Sequence, residues 1–177
     1  MEYVRLSELV NNLFQDSKFF LQECKTHSEN KPFKGTFARA AILTVWSGFE
    51  GWVNKTCQEF SKKTKDLSIN EIGFLRERRI KLKKGEFVLT KADKYENIEN
   101  KIEFLLKRFA NKKLDKGGKD WIDFKRAKSL RDSIVHPKLG ADRSKTFTMA
   151  DAELTHNILS SFLKLLAKEI YGTKLTF

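Results

Sequence analysis

The stretch Ala38-Arg39-Ala40-Ala41-Ile42-Leu43-Thr44-Val45-Trp46-Ser47-Gly48-Phe49-Glu50-Gly51-Trp52-Val53 decides the fold. It lies within a run from about Gly35 to Lys63 whose apolar residues occupy two neighbouring stripes of a helix. Ala38, Ile42, Val45, Phe49, Trp52 and Phe60 form one stripe, and Leu43, Trp46, Val53 and Cys57 form the other. A helix this apolar around its circumference is packed among others, so the run predicts the central helix of a bundle. Glu50 falls on the second stripe, where a carboxylate is out of place.

The flanking segments carry the same period. Leu6, Leu9, Val10, Leu13, Phe20, Leu21 and Cys24 recur at spacings of three and four, predicting a first helix that ends at Lys31-Pro32. Ser68-Ile69-Asn70-Glu71 has the pattern of a capping box and predicts the start of a shorter helix. Gly85 to Leu89 reads as a loop or a single extended turn, followed by a helix capped at Thr90 with Tyr95, Ile98, Ile102, Leu105 and Phe109 on one face. After the polar segment Asn111 to Gly118, Asp120 is expected to cap a helix that directs Trp121, Phe124, Ala127, Leu130 and Ile134 inward. A last helix from about Met149 to Tyr171 buries Ile158, Phe162, Leu165, Leu166 and Ile170 before Gly172 stops it. The expected fold is all-α, a single-domain up-and-down bundle of five to six helices over residues 1–177.

The 177 residues are 40% hydrophobic and 33% charged, which fits a globular chain and not a disordered one. The net charge of +12 and a pI near 9.7 point to a polyanionic partner, nucleic acid before an acidic membrane surface. Cys24 and Cys57 form no CxxC pair and fit no zinc spacing, so they read as buried free thiols in a reducing compartment. Met1 leads straight into an amphipathic pattern, and no apolar run reaches membrane-spanning length. A soluble, cytoplasmic protein with no metal and no cofactor is expected. No P-loop, GxGxxG or HExxH is present.

The chemistry concentrates in Leu130-Arg131-Asp132-Ser133-Ile134-Val135-His136-Pro137. On a continuous helix, residues five apart point about 140° away from each other. The residue before a proline is pushed out of the helical region, so His136 is expected where the helix breaks, able to turn back toward Arg131. Histidine moves protons near neutral pH, and arginine clamps anions. Of the other two histidines, His27 reads as solvated at a helix end and His156 as a satisfied packing residue.

An arginine, a polar residue directly after it, and a histidine four to six intervening positions on resemble the signature of the HEPN superfamily. Its members are small all-α proteins, many of them RNases in toxin–antitoxin, phage-defence and RNA-processing systems. The matching residues are Arg131, Asp132 and His136, and Ala40 to Asn54, with Trp46, Phe49 and Glu50, resembles the long helix that packs on the motif helix. Some toxin members carry a tyrosine two residues after the histidine; here that position is Lys138.

The resemblance implies metal-independent RNA cleavage by attack of the ribose 2′-hydroxyl on its own phosphodiester. Arg131 and His136 would be the catalytic residues of a composite site in a homodimer cleft. Such a step needs a base, an acid and positive charge at the phosphate. Asp132 can orient His136 or pair with the neighbours of Arg131. Glu50 can hold Arg131 or form a structural ion pair. Ser133 reads as a hydrogen-bonding neighbour, since no third member of a triad is evident. Arg76, Arg78, Arg79 and Lys81, with Lys125, Arg126, Lys128 and Lys138, are the expected RNA-binding cations; Lys107, Arg108, Lys112, Lys113, Lys116 and Lys119 form a further cluster. RNA, a second copy of the chain and an antitoxin or regulatory protein are the expected partners. The alternative is a non-catalytic helical module of the same superfamily that binds RNA or a protein.

Overall fold

A computed structural model describes residues 8–27, 35–136, 147–173 and 175. The described residues form six helices and one two-stranded hairpin, in the order α1 (Glu8–Thr26), α2 (Thr36–Lys63), α3 (Ile69–Leu75), β1 (Arg78–Lys83), β2 (Glu86–Asp93), α4 (Ile98–Phe109), α5 (Lys119–Val135) and α6 (Met149–Tyr171). The described residues are 71% helix, and the all-α expectation holds. It separates into two compact units, Met1–Phe49 with Asp115–Phe177, and Glu50–Leu114. The division falls inside α2, a continuous helix, so no change of composition marks it.

In the first unit, the buried positions of α1 are Val10, Phe14, Ser17 and Cys24. Leu9, expected on that face, is 68% exposed, because the face is centred one residue further on. Leu6 and the expected stop at Lys31-Pro32 lie outside the described residues. The α5 positions expected inward divide in two. Trp121, Phe124 and Ala127 are buried, and Leu130 and Ile134 pack on the cluster of Cys24, Ala38, Ala41, Ile42, Phe147 and Ala152. Trp46, Phe49, Trp121, Phe124 and Phe162 form an aromatic nucleus, with the Phe124 ring centroid 5.1 Å from those of Trp121 and Phe162 and 5.5 Å from that of Phe49. At this separation ring pairs add attraction beyond their buried area. The cap of α5 is the Gly118 backbone and not Asp120, which sits in the first turn, where a carboxylate complements the helix dipole. Helix α6 starts in a capping box between Thr148 and Asp151 and stops at Gly172 in the left-handed region.

In the second unit, the expected capping box holds: the Ser68 side chain accepts from the Glu71 backbone N–H, and the Glu71 carboxylate accepts from that of Ser68. Two other expectations fail. Gly85 to Leu89 is not a loop but part of a hairpin over residues 78–93, and α4 is capped by Asn97 instead of Thr90, which lies in β2. Ile80 and Leu82 alternate with Arg79, Lys81 and Lys83, which is strand periodicity inside a charge run. Lys84 and Gly85 at φ 52° and 84° close the strands in a two-residue turn, a left-handed pair that glycine makes accessible and that matches strand twist. Tyr95, expected in the core, is 86% exposed in the segment between β2 and α4. A lone hairpin is marginal in water, and this one leans on α3: a Cβ at Gly73 would lie 2.8 Å from Ile80 Cδ1.

Beneath the hairpin, Lys101 is buried and donates to Glu77 Oε1 and Asn54 Oδ1, both at 2.7 Å. Glu77 itself has φ 53°, and its backbone carbonyl accepts from Lys94 N–H. The ion pair thus fixes the sharp turn from α3 into β1. Apolar side chains make up most of the remaining core, with Thr56 and Ser61 buried among them, and the partly buried Phe60 stacks on Phe109 at 3.9 Å between centroids. Burial pushes the Cys57 thiol up to about 12, against the opposing charge of Lys101, which makes it an inert packing residue.

Candidate active site

Helix α5 ends at Val135, and His136 caps it at φ −125°, ψ 66°, outside the helical region as a residue before proline should be. Its N–H donates to Asp132 O at 2.8 Å, so the backbone is tied to the last turn while the side chain is exposed. Pro137 and Lys138 lie outside the described residues.

Arg131 occupies the last turn but one, with its side chain 25% exposed. Its guanidinium carbon lies 5.3 Å from the centre of the Trp46 ring, within the range of cation–π attraction. Arg131 Nη1 also donates to Asp132 Oδ1 at 2.9 Å. Between ring and carboxylate the guanidinium is held in a plane, which is the preparation a bidentate contact to a phosphate requires.

Asp132 is the hub of the turn. Its carboxylate accepts from Lys128 Nζ at 2.7 Å and from Arg131. Partial burial pushes its pKa up, but these hydrogen bonds and the two charges outweigh burial and leave it below the usual carboxylate range. Of the two roles open to it, the carboxylate therefore serves Arg131 and Lys128, while its backbone carbonyl serves the His136 N–H. Ser133 Oγ donates backward to Leu130 O at 2.7 Å, which commits its proton to the helix, as expected of a neighbour and not of a nucleophile. Glu50 is half-buried in the second unit, and the motif lies in the first.

The expected RNA-binding cations divide sharply once their partners are known. Arg76 donates to Ser61 Oγ and O at 3.1 and 3.0 Å, tying α3 to the end of α2. Arg78 is paired with Asp93 across the base of the hairpin, and Arg79 Nε reaches Asp93 O at 3.2 Å. Arg108 bridges Asp66 and Glu71 at 2.8 and 2.9 Å. Lys119 pairs with Asp123 and Lys128 with Asp132. Lys81 stands exposed on β1, and Lys125 and Arg126 on the outer face of α5. The arginines of the first cluster are largely structural ties, and the lysines are the solvent-facing charges.

His27 approaches Glu23 at 3.4 Å and stacks on Phe37 at 5.6 Å between ring centres, so it is partnered, not merely solvated. His156 is buried, with Nδ1 3.0 Å from Ser17 Oγ. Ser17 has one proton and donates it to Ala41 O at 3.1 Å, so both contacts are made only if His156 donates from Nδ1. Burial, with the charge of Lys18, pushes its imidazole pKa down. It is the satisfied packing histidine that the sequence predicts.

Among the described residues no three His, Cys, Asp or Glu side chains are grouped so as to hold a metal ion, and no helix is long and apolar enough to cross a membrane. No protein-family model, curated protein or solved structure matches the chain.

Proposed function

We propose that the chain is a HEPN-type, metal-independent endoribonuclease whose Arg131 and His136 form half of a composite site completed by a second copy. The observation that carries this reading is the contrast between the two side chains: His136 is exposed at the end of α5, while Arg131 is held by Trp46 and Asp132 one turn earlier. A pair kept only for structure would be buried and mutually satisfied. An exposed imidazole at the helix end, with a fixed guanidinium one turn earlier on the same helix, supplies a proton-transfer group and an anion clamp.

In the proposed reaction the 2′-oxygen attacks the adjacent phosphorus, and the P–O5′ bond breaks to leave a 2′,3′-cyclic phosphate and a 5′-hydroxyl. One imidazole takes the 2′-hydroxyl proton, and another gives a proton to the departing 5′-oxygen. Arg131 balances the charge that gathers on the non-bridging oxygens. A single copy offers one such histidine, and a symmetric pair offers both. The biological setting suggested by the family resemblance is that of a toxin or phage-defence effector in the cytoplasm, with an antitoxin or regulator as a further partner.

The test is product chemistry. Purified protein incubated with single-stranded RNA and an excess of chelator should yield fragments with cyclic-phosphate ends. Intact RNA, or fragments with 5′-phosphates, would sink the proposal. Loss of RNA binding on Arg131→Ala without any cleavage by the wild type would favour the non-catalytic module instead.

A further inference from the structure

We infer that the tip of the β1–β2 hairpin is a grip for single-stranded RNA, with Phe87 as a base-stacking platform and Lys81, Lys83 and Lys84 as phosphate ligands. The register sets Leu82 directly opposite Phe87, so the two side chains share one face of the ribbon. They are 63% and 64% exposed. Ile80, two residues nearer the base on the same face, is the residue that meets α3 at Gly73. The apolar row therefore continues past the helix that covers it and ends in a bare aromatic ring.

Charge says what covers that ring. From Arg79 to Lys91 five cations stand against one carboxylate, Glu86. Lys81, Lys83 and Lys84 are exposed, and none of them makes an ion pair among the described residues. By contrast, the arginines at the hairpin base are spent on Asp93 and Ser61. Alternation along β1 turns Lys81 and Lys83 to the face opposite the ring and Lys84 lies in the turn, so a flexible polyanion that wraps the tip and carries flat apolar groups would meet both the ring and the cations. Single-stranded nucleic acid is such a polyanion, since every base offers a face for stacking and every linkage a phosphate. An RNA duplex fits poorly, because its deep, narrow major groove does not admit a ribbon. The choice of RNA among such strands rests on the ribonuclease reading above.

The experiment measures binding, not cleavage. Full-length His136→Ala protein is titrated by fluorescence anisotropy against a labelled 12-nucleotide oligo-uridine, a duplex DNA of equal length and vesicles of phosphatidylserine and phosphatidylcholine. Phe87→Ala should weaken oligo-uridine binding by roughly 5- to 150-fold. Phe87→Trp should restore it. The triple change of Lys81, Lys83 and Lys84 to Ala should lower the slope of log affinity against log salt by about 2, since each phosphate neutralised on a single strand contributes about 0.7. Because these side chains are exposed, thermal melts of the variants should match the parent. Unchanged oligo-uridine affinity in Phe87→Ala and the triple variant overturns the inference, as does tighter binding to duplex DNA or vesicles than to oligo-uridine. A wild type that never cleaves RNA, but whose hairpin variants lose oligo-uridine, keeps the grip and removes the nuclease; the converse removes only the grip.

Discussion

At the scale of single residues, Arg131 is the one whose environment says most. Its contacts to Trp46 and Asp132 give it a structural share as well as the proposed catalytic one. Arg131→Ala should cost about 1–2 kcal/mol of stability, from the missing cation–π attraction and packing of the aliphatic stem. Urea unfolding checks this, and an unchanged midpoint would mean that the guanidinium is held by nothing that matters. His156 supplies a pH signature independent of function. Its folded-state pKa lies below that of the unfolded chain, so its stabilising contribution is complete above about pH 6.5 and is lost as the pH falls through the folded value. The melting temperature should fall over that acid range, and His156→Gln should flatten this part of the profile. A wild-type profile flat from pH 7 to 5 would contradict the burial argument. The helix break at His136 is legible from the proline that follows it. The service of Asp132 to Lys128 is not, because an i, i+4 pair and a link to His136 fit the same sequence equally well.

At the scale of elements, α2, α5 and α6 are readable because each sustains a 3.6-residue apolar period over four turns or more. The hairpin is not. Its strand pattern is only a few residues long, and its alternating partners are lysines and arginines, so the charge run hides the period of two. The misplaced cap at Thr90 has the same cause, since a residue that reads as helix-starting is inside β2. Gly73 tests the join between α3 and the hairpin. In an ordinary helix Gly→Ala gains up to about 1 kcal/mol. Here the new methyl would meet Ile80 Cδ1 at 2.8 Å and Arg78 O at 3.2 Å. Gly73→Ala should therefore destabilise, by about 1–2 kcal/mol, as overpacking does. A higher melting temperature would show that the hairpin does not press on α3 as described.

At the scale of the molecule, the excess of +12 is not spread evenly in its uses. Several arginines are consumed by internal carboxylates and carbonyls, while Lys81, Lys83 and Lys84 of the hairpin face solvent. Charge composition points to a polyanion, but only the pairing shows which cations remain for one. The proposed mechanism also makes a demand on assembly, because one chain offers one exposed histidine at the motif. Light scattering should find a dimer at the concentrations where RNA is cleaved, and an active strict monomer would remove the composite site. The most direct measurement is the initial rate of cleavage of a labelled single-stranded RNA, in chelator, by the wild type and by His136→Ala under identical conditions. The account predicts that the wild type cleaves and that His136→Ala is slower by about 10²–10⁴-fold with an unchanged melting curve; equal rates and identical fragments from the two proteins would contradict it.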